Sequence, residues 1–95
     1  MVYKVISDTV NLHSRAINDA LSNGDIMQAV YMHNSVINYI DSNYNLEHIS
    51  DDAYIYFNRR LYLLAGQKLE IARLNVMCQS LDKELISSIS NRKEG

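Results

Sequence analysis

Residues Ala53–Ile89, AYIYFNRRLYLLAGQKLEIARLNVMCQSLDKELISSI, decide the fold. No proline interrupts the stretch, and Gly66 is its only weak helix former. Phe57, Leu64, Ile71, Cys78 and Leu85 fall seven apart, and Leu74 and Leu81 sit three beyond members of that row. This a/d spacing belongs to a helix that lays one seam against other helices. The pattern predicts a single long helix over residues 52–89. At 1.5 Å per residue it would be roughly 55 Å long.

Two shorter helices precede it. Val5/Ile6, Thr9/Val10, Leu12/His13, Ala16/Ile17 and Ala20/Leu21 recur at helical spacing and predict a helix over residues 3–22. Ser22-Asn23-Gly24-Asp25 stops it: Gly24 can take the left-handed closing conformation, and Asp25 can cap the next helix. Ile26, Ala29/Val30, His33, Val36/Ile37 and Ile40 mark the second helix, residues 26–41. So short a connection folds the two into an antiparallel hairpin. Asp41-Ser42-Asn43-Tyr44-Asn45 reads as the turn that ends the second helix, with Tyr44, Leu46 and Ile49 plugging the hairpin. Ser50-Asp51-Asp52 places a cap and negative charge where the dipole of the third helix favours them. Residues 90–95 read as a polar, frayed tail.

The expected fold is therefore all-α: one domain over residues 1–95, with a helical hairpin packed on a long third helix in a small bundle. Composition agrees. Apolar residues make up 47% of 95 residues, which argues against disorder, and the lack of proline favours long helices over a turn-rich β fold. A net charge of −2 gives no general attraction to nucleic acid or to acidic membranes. One cysteine excludes an internal disulfide and points to a reducing compartment. The start, MVYKVISD, lacks the apolar core of a signal peptide. No apolar run approaches the ~20 residues of a membrane span. These features together predict a soluble cytoplasmic protein.

A length mismatch follows. The two hairpin helices are each roughly 25–30 Å long, so they cover only about half of the third. The apolar seam from Leu69 to Ile89 outruns them, and each Å² left in water costs about 25 cal/mol. A second copy, a client protein, or a fold-back at Gly66 would cover it. Ala65-Gly66-Gln67 lacks the Asn, Asp or Pro of a real turn, so an outside partner is the expectation. A homodimer or partner interface is assigned to Leu74, Cys78, Leu81 and Leu85.

Catalytic chemistry is not expected. His13 and His33 fall on facing stripes, but no His-x3-His or Glu-x-x-His pairing completes a metal ligand set. Cys78 sits among apolar residues with no histidine near it in sequence, as a packing residue does. No P-loop, G-x-S-x-G or G-x-G-x-x-G occurs. No cofactor or metal is assigned. Arg59-Arg60, flanked by Tyr54, Tyr56 and Tyr62, is the one doubled basic pair in the helical body. Tyr56, Arg59 and Arg60 share a helical surface, and these residue types are enriched at interface hot spots. The bland alternative is a solvated face with an arginine paired to a nearby acid. Nucleic acid is disfavoured by Asp51 and Asp52 nearby and by the absence of a basic recognition helix.

Three resemblances narrow the function. Ala20-Leu21-x-x-Gly24-Asp25-Ile26-x-x-Ala29-Val30-x-x-His33-x-x-Val36-Ile37 resembles one tetratricopeptide-type hairpin. It occurs once, so no solenoid follows. Gly24, Ala29-Val30 and Arg59-Arg60-Leu61-Tyr62 fall in an order similar to that of the small enteric virulence and phage regulators of the PerC and ANR (AraC-negative-regulator) groups. His33 occupies their tryptophan place, Leu63 their cysteine place, and the linker is longer. That resemblance implies a non-enzymatic regulator that binds another protein, often a transcription factor. The layout of a hairpin with a long helix also looks like flagellar and type III export chaperones, which hold an amphipathic client helix.

Overall fold

The computed structural model describes residues 2–94, with side chains through Ile89. The described residues form an all-α bundle in which a helical hairpin packs on one end of a long rod. The molecule measures 67 × 25 × 17 Å.

Helix α1 spans Val2–Ser22. It buries Ile6, Val10, Ser14, Ile17 and Ala20, one stripe at the three-and-four spacing of a helix face. The stripe runs closer to Ser14 than the apolar pattern indicates: Leu12, expected inside, is exposed. Gly24 closes α1 at φ +76. The Asp25 N–H reaches the Ala20 carbonyl at 2.8 Å and the Gly24 N–H reaches Leu21 at 3.1 Å. These two bonds satisfy the Ala20 and Leu21 carbonyls in the last turn of α1. The Asp25 carboxylate then accepts from the Gln28 N–H at 3.1 Å and starts α2.

Helix α2 spans Ile26–Asn45, so the turn expected at residues 41–45 is not there. The turn-forming side chains are satisfied inside the helix instead. Asn43 Nδ2 donates to the Tyr39 carbonyl at 2.8 Å, and the Tyr44 ring stacks on Tyr54 at 4.3 Å. Aromatic packing outweighs the weak local preference of Ser and Asn for turns. The stop comes at Glu47, in the left-handed region at φ 62. Its N–H donates to Tyr44, and that of His48 donates to Asn43, the same closure used at Gly24. Ile49 plugs the core as expected, but Leu46 points outward.

Helix α3 spans Asp51–Leu61 and is capped by Ser50, whose hydroxyl accepts from Ala53 N–H at 3.2 Å. The rod then continues without a break through a π-helical turn, Tyr62–Gly66, into α4, Gln67–Glu94. In the π turn the Gln67 N–H bonds Tyr62, five residues back rather than four. The expected frayed tail is helical in its backbone to Glu94; Gly95 and the side chains from Ser90 onward lie outside the described residues.

Phe57, Leu61, Ala65 and Leu69 form the buried row of the rod. Steps of four residues drift by about 40° each in a plain α-helix. The π turn slows the rotation and keeps all four aimed at Ile6, Val10, Ile17, Val36 and Ile40. Asn18 Nδ2 donates to the Leu64 carbonyl within this turn at 3.0 Å. Gly66 permits the closest approach of α2 here: a Cβ at this position would lie 3.2 Å from His33 Nε2.

Candidate functional site

The rod divides at Leu69. Up to that residue it has a buried face, and Leu69 itself is 3% exposed. Asn18, Leu21 and Ser22 border Lys68 and Ala72, so the closed end of the hairpin stands beside the first turns of α4. Beyond it Leu74, Leu81 and Leu85 are 50%, 55% and 60% exposed, and Cys78 is exposed. The seven-residue row is therefore split: Phe57 lies in the core, while Ile71, Cys78 and Leu85 face out. The π turn sets the phase of Ile71 back by nearly one residue step, and from Arg73 to Ile89 side chains on every face are exposed because the hairpin has ended.

The direction of the outward seam follows from helix geometry. At about 100° per residue, Ile71, Leu74, Cys78, Leu81 and Leu85 lie roughly 120–200° round the axis from Leu69. Ile71, Cys78, Leu81 and Leu85 thus point away from the hairpin, whereas Leu74 borders, with Met77, the cleft that His33 of α2 lines. By the same measure Ile55, Tyr56 and Arg59 lie roughly 120–220° from the buried Leu61, and Ile55, Tyr56 and Leu63 are exposed. One apolar stripe runs along the outer side of the rod from Ile55 to Ile89, a length of about 50 Å. Val76, Met77 and Ile86 lie beside it and are also exposed.

The basic pair sits in the upstream part of this stripe. Tyr56, Arg59, Arg60, Leu63 and Leu64 line a cleft of about 350 Å³. The structure brings Tyr56, Arg59 and Arg60 together there, but it separates the fates of the two arginines. Arg60 turns toward α1 and donates from Nε and a terminal nitrogen to Asn11 Oδ1, at 3.1 and 3.0 Å. Its partner is a neutral amide oxygen rather than an acid. Arg59 stays exposed. The cleft combines an apolar floor with guanidinium edges, which suits an aliphatic side chain next to a carboxylate. Leu74, Cys78, Leu81 and Leu85 are not part of this cleft; they lie further along the same outer side.

The histidines do not converge. His13 Nδ1 lies 2.9 Å from the Thr9 carbonyl on its own helix, and His48 Nδ1 pairs with Asn43 Oδ1. His33 is half-buried against Gly66, in a cleft shared with Tyr62, Glu70 and Arg73. Burial, and secondarily the charge of Arg73, hold its imidazole below the ordinary 6.5. Three tyrosines donate to carboxylates: Tyr44 to Asp51, Tyr54 to Asp41 and Tyr62 to Glu70. These bonds raise the pKa of each phenol. They tie the start of α3 to the end of α2 and span the π turn; they form no reactive group.

Sequence reasoning missed Leu63 and Ile55 as members of the outer stripe, and Asn11 as the anchor of Arg60. Leu63 lies within the π turn, which has no residue signature, and Ile55 lies outside the seven-residue row that marks the seam. The third joins residues 49 apart in the chain. No protein-family profile, characterised protein or solved structure matches the chain. Among the described residues, no helix is long and apolar enough to cross a membrane.

Proposed function

We propose that the chain is a non-enzymatic regulatory protein that works in the cytoplasm, as a homodimer, by binding another protein such as a transcription regulator. One observation carries the reading: more large apolar side chains face outward, on two separate faces, than the fold shelters. One face is the outer stripe of the rod. The other is the hairpin, where Leu12, Met27 and Tyr31 are exposed and Leu12, His13, Ala16, Tyr31, Met32 and Ser35 line a cleft of about 290 Å³. Apolar surface of this kind marks interaction sites in soluble chains. The likeness to the PerC and ANR regulators points the same way on the residues quoted for it.

An export or assembly chaperone is the second reading, favoured by the length of the stripe: about 50 Å would hold a client helix of about 30 residues. Affinity capture with the tagged chain in an expressing host separates the two. A regulator loses its captured protein on Leu12→Asp, and a chaperone loses its client on Leu81→Asp. A chain that captures no protein overturns both. So does one that binds DNA with a salt-dependent affinity lowered by Arg59→Ala.

A further inference from the structure

We infer that the outer stripe is covered by a second copy of this chain lying antiparallel, with Ile71 opposite Leu74 of the second copy. The inference deepens the reading above by naming the occupant of one of its two faces, and it rests on that reading.

Area is the first argument. The outward apolar side chains from Ile55 to Ile89 are 44–65% exposed. At the transfer energies of such side chains they present on the order of 800 Å² per chain, close to the roughly 800 Å² per partner of a standard stable interface. On helix geometry most of the stripe lies on the side of the rod away from the hairpin, with Leu74 at its edge beside the His33 cleft.

Register is the second. The stripe has two unlike halves. The upstream half carries Tyr56, Arg59 and Leu63 and contains the cleft. The downstream half carries Leu81, Leu85 and Ile89, with Asp82 on its edge. In an antiparallel pair centred between Ile71 and Leu74, Leu63 meets Leu81 of the second copy and Tyr56 meets its Ile89. Leu85 of the second copy reaches the cleft level with Arg60, and its Asp82 falls level with Leu63, about one helical turn along the axis from Arg59 and Arg60. On helix geometry Asp82 lies to the same side of the stripe as Tyr56 and Arg60, and antiparallel helices bring like edges together. Each cleft thus receives an aliphatic side chain and a carboxylate, the combination its lining suits. A parallel pair would set Arg59 against Arg59 and leave Asp82 without a basic partner.

Sedimentation of the purified chain tests the pairing. A dimer at micromolar concentration is expected. Leu63→Asp and Leu81→Asp are each expected to yield monomers that keep a cooperative melt, since both residues lie outside the core. Arg59→Glu should weaken the dimer about tenfold, and Asp82→Arg added to it should restore the affinity. Orientation is read by oxidation. Gln67→Cys lies across from Cys78 of the second copy and should cross-link, whereas wild-type Cys78 is roughly 16 Å from its own copy and should not. A chain that is monomeric throughout overturns the proposal, and so does a wild-type Cys78–Cys78 cross-link. A monomer that still captures a protein sensitive to Leu12→Asp removes the dimer from both proposals and leaves regulation by partner binding through the hairpin standing. A dimer that captures nothing does the reverse.

Discussion

Phe57–Leu69 and Leu74–Ile89 belong to one unbroken rod and are similarly rich in apolar residues, yet the first buries a face and the second buries none. Leu61 is 1% exposed and Leu81 is 55% exposed. The difference lies in what stands opposite. The hairpin reaches as far as the start of α4 and stops, because Gly24 closes α1 there. Burial, and with it the energy of a leucine, is set by the neighbouring helix rather than by the helix that carries the residue.

The largest expected effect would break the comparison if it failed. Leu61→Ala should cost about 2–5 kcal/mol, as other fully buried leucines do, at every protein concentration. Leu81→Ala should cost little in dilute solution, with a penalty that grows with concentration only as far as copies associate. Chemical denaturation at two concentrations measures both. Equal, concentration-independent losses would mean that the distal seam is already buried within one chain.

Glu47→Gly sharpens the picture at the open end of the hairpin. Glu47 holds φ 62 with a side chain that disfavours it, and glycine removes that strain. A gain of about 0.5–1 kcal/mol is expected in the same denaturation assay. No change would mean that the α2 stop is not strained.

The smallest effect lies at the boundary between the two halves, where His33 meets Gly66 and Arg73. Its folded pKa is lowered, chiefly by burial, so the unfolded chain takes up the proton first as pH falls. The His33 contribution is complete above 6.5 and is lost as pH drops from there through the lower folded value. His33→Gln should flatten that part of the stability–pH curve. An unchanged slope would assign it to other groups.

Much of this architecture was legible in residue order. Gly24-Asp25 marked the hairpin turn, Ser50 marked the start of the rod, and Leu74, Leu81 and Leu85 marked a seam that outran its cover. Those features depend on local chemistry: a left-handed closure, a capping oxygen, a periodic apolar row. The end of α2 was not legible. Asn43 and Tyr44 read as a turn, and only the stacking of Tyr44 on Tyr54 carries the helix past them. Nor was the anchoring of Arg60 by Asn11, which requires two helices to be set side by side.

What residue order alone determined is the set of helices, their caps and the mismatch in their lengths, since propensity, capping and periodicity act over a few neighbouring residues. What only the tertiary structure decided is the direction in which the seam faces. The π turn at Tyr62–Gly66 changes the hydrogen-bond step of the backbone from four residues to five so that Ala65 and Leu69 stay against the hairpin. That adjustment turns Ile71, Cys78 and Leu85 to the outer side. No side chain announces it, because the energy that selects it is the packing of the core.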